Sequence, residues 1–187
     1  MQAQLAVQSE VTWPLFIGEV MSTQKNRPNG HIWMGAQQFL NAADALFDNR
    51  SGFDDLIYPI IVNYALSVEL ALKSTVGKVD FQPPTADGLV LAAKTKSDVR
   101  GHDLSKIFIN LPADVKSSLE NEFQIFTGED IHQCLTKCRD YFVKARYPYE
   151  EISGAYDIGK LRTLAHGVLH SVKEFGLKIE GSLGRRA

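Results

Sequence analysis

Ile158, Leu161, Ala165, Val168, Val172 and Phe175 follow one another at intervals of three and four residues, and nothing between them breaks the pattern. That spacing lays one apolar stripe along a helix, because side chains return to the same face about every 3.6 residues. Ile61, Ala65, Val68 and Leu72 form a second stripe over 55–75. Leu66 and Leu70 widen it, which predicts a central helix with Pro59 confined to its first turn. Trp33, Leu40, Ala43 and Phe47 predict a helix over 31–48, and Leu104, Ile107, Phe108 and Leu111 a short one that stops at Pro112. Val115, Leu119, Phe123 and Phe126 point inward from a helix over 113–126. Ile131, Leu135, Cys138, Phe142 and Ala145 do so from one over 131–146, which Pro148 must end. Period-two alternation is almost absent, so the expected fold is all-α, an up-and-down bundle of about five to six helices.

A chain of 187 residues suits one domain. The expected division is an N-terminal arm over 1–30, a helical domain over 31–176 with an insertion loop at 77–101, and a flexible tail over 177–187. Leu15-Phe16-Ile17 in the arm suggests a short strand or helical turn, the insertion holds Pro83-Pro84 and Leu89-Val90-Leu91, and Gly176 suits a helix C-cap. Lys and Arg total 20 against 22 for Asp and Glu, so no global field draws nucleic acid or a membrane, and any anion site must come from local clustering. No apolar run approaches the roughly 20 residues of a membrane span, and residues 1–10 lack a basic segment followed by a long apolar one. The expectation is a cytoplasmic protein without a membrane partner. Cys134 and Cys138 lie four apart on one helical face, which suits a disulfide poorly and supplies too few ligands for a zinc finger. Buried thiols in a reducing compartment are expected.

Several polar constellations could carry chemistry. Glu69 and Lys73 stand one turn apart in an otherwise apolar helix, either as a solvated ion pair or as a pair facing a groove. Asp103 is placed to cap a helix, and His102 beside it is either a proton carrier near neutral pH or a partner for a nearby carbonyl. Lys137, Arg139, Lys144 and Arg146 enrich one helix in positive charge, and Tyr147 and Tyr149 follow; cations beside aromatic rings can hold phosphate and stack on a base, or can complement a helix C-terminus. Arg162, His166, His170 and Glu174 step by four along the last helix. A zincin would place Glu directly after the first His, where this chain has Gly167, so no metal is assigned. No phosphate-cradling glycine loop and no serine-hydrolase elbow is present, and no cofactor is expected.

Three segments together resemble a known family. Ser67-Val68-Glu69-Leu70-Ala71-Leu72-Lys73 falls late in a long apolar helix, Gly101-His102-Asp103-Leu104 starts a short helix after an insertion, and Arg146-Tyr147-Pro148-Tyr149 closes a later helix before another long one. This order is similar to the HEPN superfamily over roughly residues 31–175. The resemblance implies a helical, often dimeric protein that binds a nucleotide or RNA, in a toxin–antitoxin or phage-defence setting. The ribonuclease branch carries Arg, four to six residues, then His on its last helix; here Arg162 is followed by His166 after three residues and by His170 after seven, so neither matches. The expected ligand-binding residues are Glu69, Lys73, His102, Arg146 and Tyr147, with Lys73 and Arg146 on phosphate, Tyr147 stacking and His102 as the proton carrier. Two alternatives stand beside this reading: a non-catalytic module that dimerises or holds a partner protein, and an atypical ribonuclease with His102, Arg162, His166 and His170 as its candidate residues.

Overall fold

The computed structural model describes residues 27–52, 55–81, 93–149 and 155–183. Helices α1 (Gly30–Asp48) and α2 (Ile57–Ser74) are followed by strands β1 (Gly77–Phe81) and β2 (Ala93–Ser97), then by α3 (Leu104–Ile109), α4 (Ala113–Thr127), α5 (Ile131–Cys138), α6 (Tyr141–Arg146) and α7 (Ile158–Leu183). The architecture is a mostly helical bundle with one small antiparallel hairpin. No helix among the described residues is long and apolar enough to cross a membrane.

Helix α2 is central, packed against α1, α3, α6 and α7. Ile60, Ile61, Tyr64, Ala65, Val68, Ala71 and Leu72 are completely buried along it. Burying each of its large apolar side chains contributes roughly 1.5–3 kcal/mol before the ordering cost is set against it. Pro59 lies in its first turn, where no intrahelical N–H is lost. Asn29 starts α1: its Oδ1 accepts from the Ile32 amide at 3.1 Å, and its own N–H donates to the Ser74 carbonyl at 2.7 Å, tying the head of α1 to the tail of α2.

Four expectations from the sequence are corrected. The helix expected over 131–146 is two helices, broken at Arg139 and Asp140, and the Arg139 carbonyl accepts from the Leu104 amide at 3.0 Å. Gly176 does not cap the last helix, which continues to Leu183 through much of the expected tail; Gly176 sits inside it, where an added Cβ would come within van der Waals range of Pro28. The expected loop at 77–101 begins and ends as a hairpin, paired from Gly77 with Ser97 to Phe81 with Ala93. Its strands are only five residues each and mostly polar, and the single alternation they hold, Val79 and Phe81 between polar residues, is too short to announce a strand. Phe126 does not point into the core: it is 51% exposed in the last turn of α4, and its ring stacks on His170 at 4.2 Å. The arm segment 15–17 and the apolar patch 89–91 lie outside the described residues.

Candidate functional site

Glu69 is 3% exposed on the most buried helix of the bundle. A carboxylate in that place is costly unless it is paired, and its two oxygens each have a partner. Lys73 Nζ donates to Oε1 at 2.7 Å, and His102 Nδ1 meets Oε2 at 2.8 Å. Lys73 also donates to the Gly101 carbonyl at 2.9 Å, where a φ of +92° suits glycine alone among common residues. Asp103 then caps α3, its Oδ1 accepting from the Lys106 amide at 3.1 Å, while the next amide, of Leu104, is bonded to Arg139. These contacts hold His102 between α2 and α6.

On the α6 side the imidazole lies against Phe142, with ring centroids 4.9 Å apart. One turn further on, the Arg146 guanidinium stands 5.2 Å from the same Phe142 ring and 5.1 Å from the ring of Tyr147. Its Nη2 donates to the Tyr147 hydroxyl at 2.9 Å, and Tyr147 meets Tyr149 edge-on at 6.2 Å. Glu69, Lys73, His102, Arg146 and Tyr147, the expected ligand-binding set, therefore occupy one continuous row that runs outward to Tyr149, which is 77% exposed.

The row differs from the sequence reading in one role. Lys73 was expected to hold phosphate, but its ammonium is turned inward to Glu69 and Gly101, and only 16% of its side chain is exposed. The Glu69–Lys73 pair is accordingly a buried clamp and not a solvated ion pair. The 2.8 Å contact with Glu69 Oε2 occupies His102 Nδ1 and fixes the orientation of the ring. That leaves His102 Nε2 as the nitrogen available to a ligand, on a side chain 47% exposed.

A second cluster gathers some of the other candidates. His166 Nε2 and Arg162 Nε approach Asp44 Oδ1 at 3.1 and 3.2 Å, and the buried Tyr64 hydroxyl donates to the same oxygen at 2.7 Å. Arg162 also reaches Asp48 at 3.7 Å. Burial pushes the Asp44 carboxyl up, but the hydrogen bonds from Tyr64 and His166 and the charges of His166 and Arg162 outweigh it and leave the group below the usual carboxylate range. Burial, and then the bond to Asp44, raise the Tyr64 phenol. His170 does not join this cluster; it stacks on Phe126. Asp44 and Tyr64 were not singled out in the sequence. A tyrosine inside an apolar stripe was the available signal, since a buried phenol requires a partner. No three His, Cys, Asp or Glu side chains among the described residues come together as a metal site. Cys134 and Cys138 are free and buried. No family model, curated protein or solved structure matches the chain.

Proposed function

We propose that the row from Glu69 to Tyr149 binds a nucleotide or RNA, in keeping with the resemblance to the HEPN superfamily and its toxin–antitoxin and phage-defence settings. Arg146 would bind phosphate, Tyr147 and Tyr149 would stack on a base, and His102 Nε2 would accept a hydrogen bond or carry a proton. Glu69 and Lys73 would position the imidazole. The observation that carries the reading is an exposed guanidinium flanked by aromatic rings, beside a histidine whose inner nitrogen is held by a buried carboxylate. Arg and aromatic rings side by side provide the two contacts a single-stranded nucleotide uses, charge on phosphate and stacking on a base.

Titrating fluorescent RNA oligomers and free nucleotides at low salt tests it. Wild-type protein is expected to bind, with affinity falling as salt rises, and Arg146→Ala to bind about tenfold more weakly. No binding by the wild-type protein at low salt would refute the proposal. His102→Ala and Arg146→Ala proteins that lose stability but no ligand would favour the alternative, a non-catalytic module that dimerises or holds a protein partner.

A further inference from the structure

A separate cleft of about 510 Å3 opens beside the first turn of α6, lined by Phe47 and Arg50 from the end of α1, Tyr141, and Tyr156 and Asp157 ahead of α7. Its size falls within the roughly 300–1,000 Å3 of small-molecule sites. Tyr156 stands edge-on to Tyr141 at 5.1 Å and to Tyr58 at 6.3 Å, and the Tyr141 hydroxyl accepts from the Asp157 amide at 3.0 Å. The aromatic wall is thus fixed by its own contacts.

The charges around this wall are unequal. Lys137, which also lines the cleft, is paired with Asp157. Arg162, 4.5 Å from the Phe47 ring, is paired with Asp44 and Asp48. Arg50 lies 3.6 Å over the Phe47 ring, no carboxylate among the described residues pairs with it, and its Nη1 is buried without a hydrogen-bond partner. That nitrogen lacks an acceptor, and the planar fork of the guanidinium fits a carboxylate or phosphate. We infer that the cleft binds a planar aromatic ligand bearing one oxyanion, with the anion on Arg50 and the ring against Tyr156. This inference does not depend on the Arg146 row: Tyr141 borders the cleft, whereas its neighbour Phe142 carries His102 and Arg146.

Isothermal titration with two probes, indole-3-acetate and adenosine 5′-monophosphate, tests the site and separates a carboxylate ligand from a phosphate one. The titrations use the Arg146→Ala protein, so that nucleotide bound by the Arg146 row does not contribute, and the expected result is saturable binding of at least one probe. Arg50→Gln should weaken that binding tenfold or more, and Ala155→Trp, which adds an indole to the cleft lining, should do the same; circular dichroism confirms that both variants are folded. Binding of neither probe by the Arg146→Ala protein, or binding unchanged when either cleft substitution is added to it, would overturn the inference.

Discussion

Asp44 presents a single oxygen to a buried phenol, an imidazole and a guanidinium, from α2 and α7, and this decides how that part of the bundle responds to acid. Its carboxyl lies below the usual carboxylate range despite the opposing effect of burial. A carboxyl depressed on folding contributes stability above its unfolded pKa, and that contribution disappears as the pH falls through the lower, folded value. The groups facing Asp44 are Tyr64, His166 and Arg162, and Arg162 is shared with Asp48. Asp44→Asn, whose amide oxygen can still accept from Tyr64, is therefore expected to cost about 1–3 kcal/mol at neutral pH, chiefly through the lost charge facing His166 and Arg162. Urea unfolding of both proteins across the acid range checks this: the gap should stay constant above about pH 5 and close below the unfolded carboxylate range, near 3.9. A gap that is constant through strong acid would show that the charge of Asp44 does not matter.

At the scale of elements, α7 and α4 meet where α7 has no side chain. A Cβ on Gly167 would lie 2.4 Å from Phe123 Cε2 and 2.8 Å from Thr127 Cγ2, and the Phe123 ring is completely buried. The close approach explains why the position after His166 is glycine. Alanine is the better helix former by about 1 kcal/mol, but crowding in a packed core costs about 1–3 kcal/mol. Gly167→Ala should thus lower stability by about 1 kcal/mol, read as a lower denaturation midpoint with an unchanged slope; a midpoint equal to or above wild type would show that Phe123 can yield. The helices themselves were legible in the sequence because each buries one stripe at a period local sequence can carry. The break at Arg139 was not, since its carbonyl is bonded to Leu104, far along the chain. Nor was the exposure of Phe126, whose spacing continues the stripe past the point where the core ends.

Over the whole molecule, the two polar clusters differ in how far apart their parts lie in sequence. Glu69 and His102 are 33 residues apart and fall in short segments on either side of one insertion, close enough in sequence to be nominated together. Asp44 and His166 are 122 apart, and no local spacing links them. The thiols offer a probe of the same global packing. Cys134 and Cys138 lie on α5, which packs against α3, α4 and α7, so exposing both means opening the bundle. Burial pushes both thiols up to about 12, and in Cys134 a 3.0 Å bond to Glu129 adds to it. At pH 8 such a thiol is ionised in roughly one molecule in ten thousand, and only the thiolate attacks an alkylating reagent. Iodoacetamide should therefore modify both cysteines slowly in native buffer. Its rate at both should rise with urea in step with the loss of helical circular dichroism. Cys134 also borders a cleft of about 660 Å3, which allows a stringent control. If Cys134 reacted quickly without denaturant while Cys138 stayed protected, the opening would be local to that cleft and the thiols would not report on the bundle as a unit.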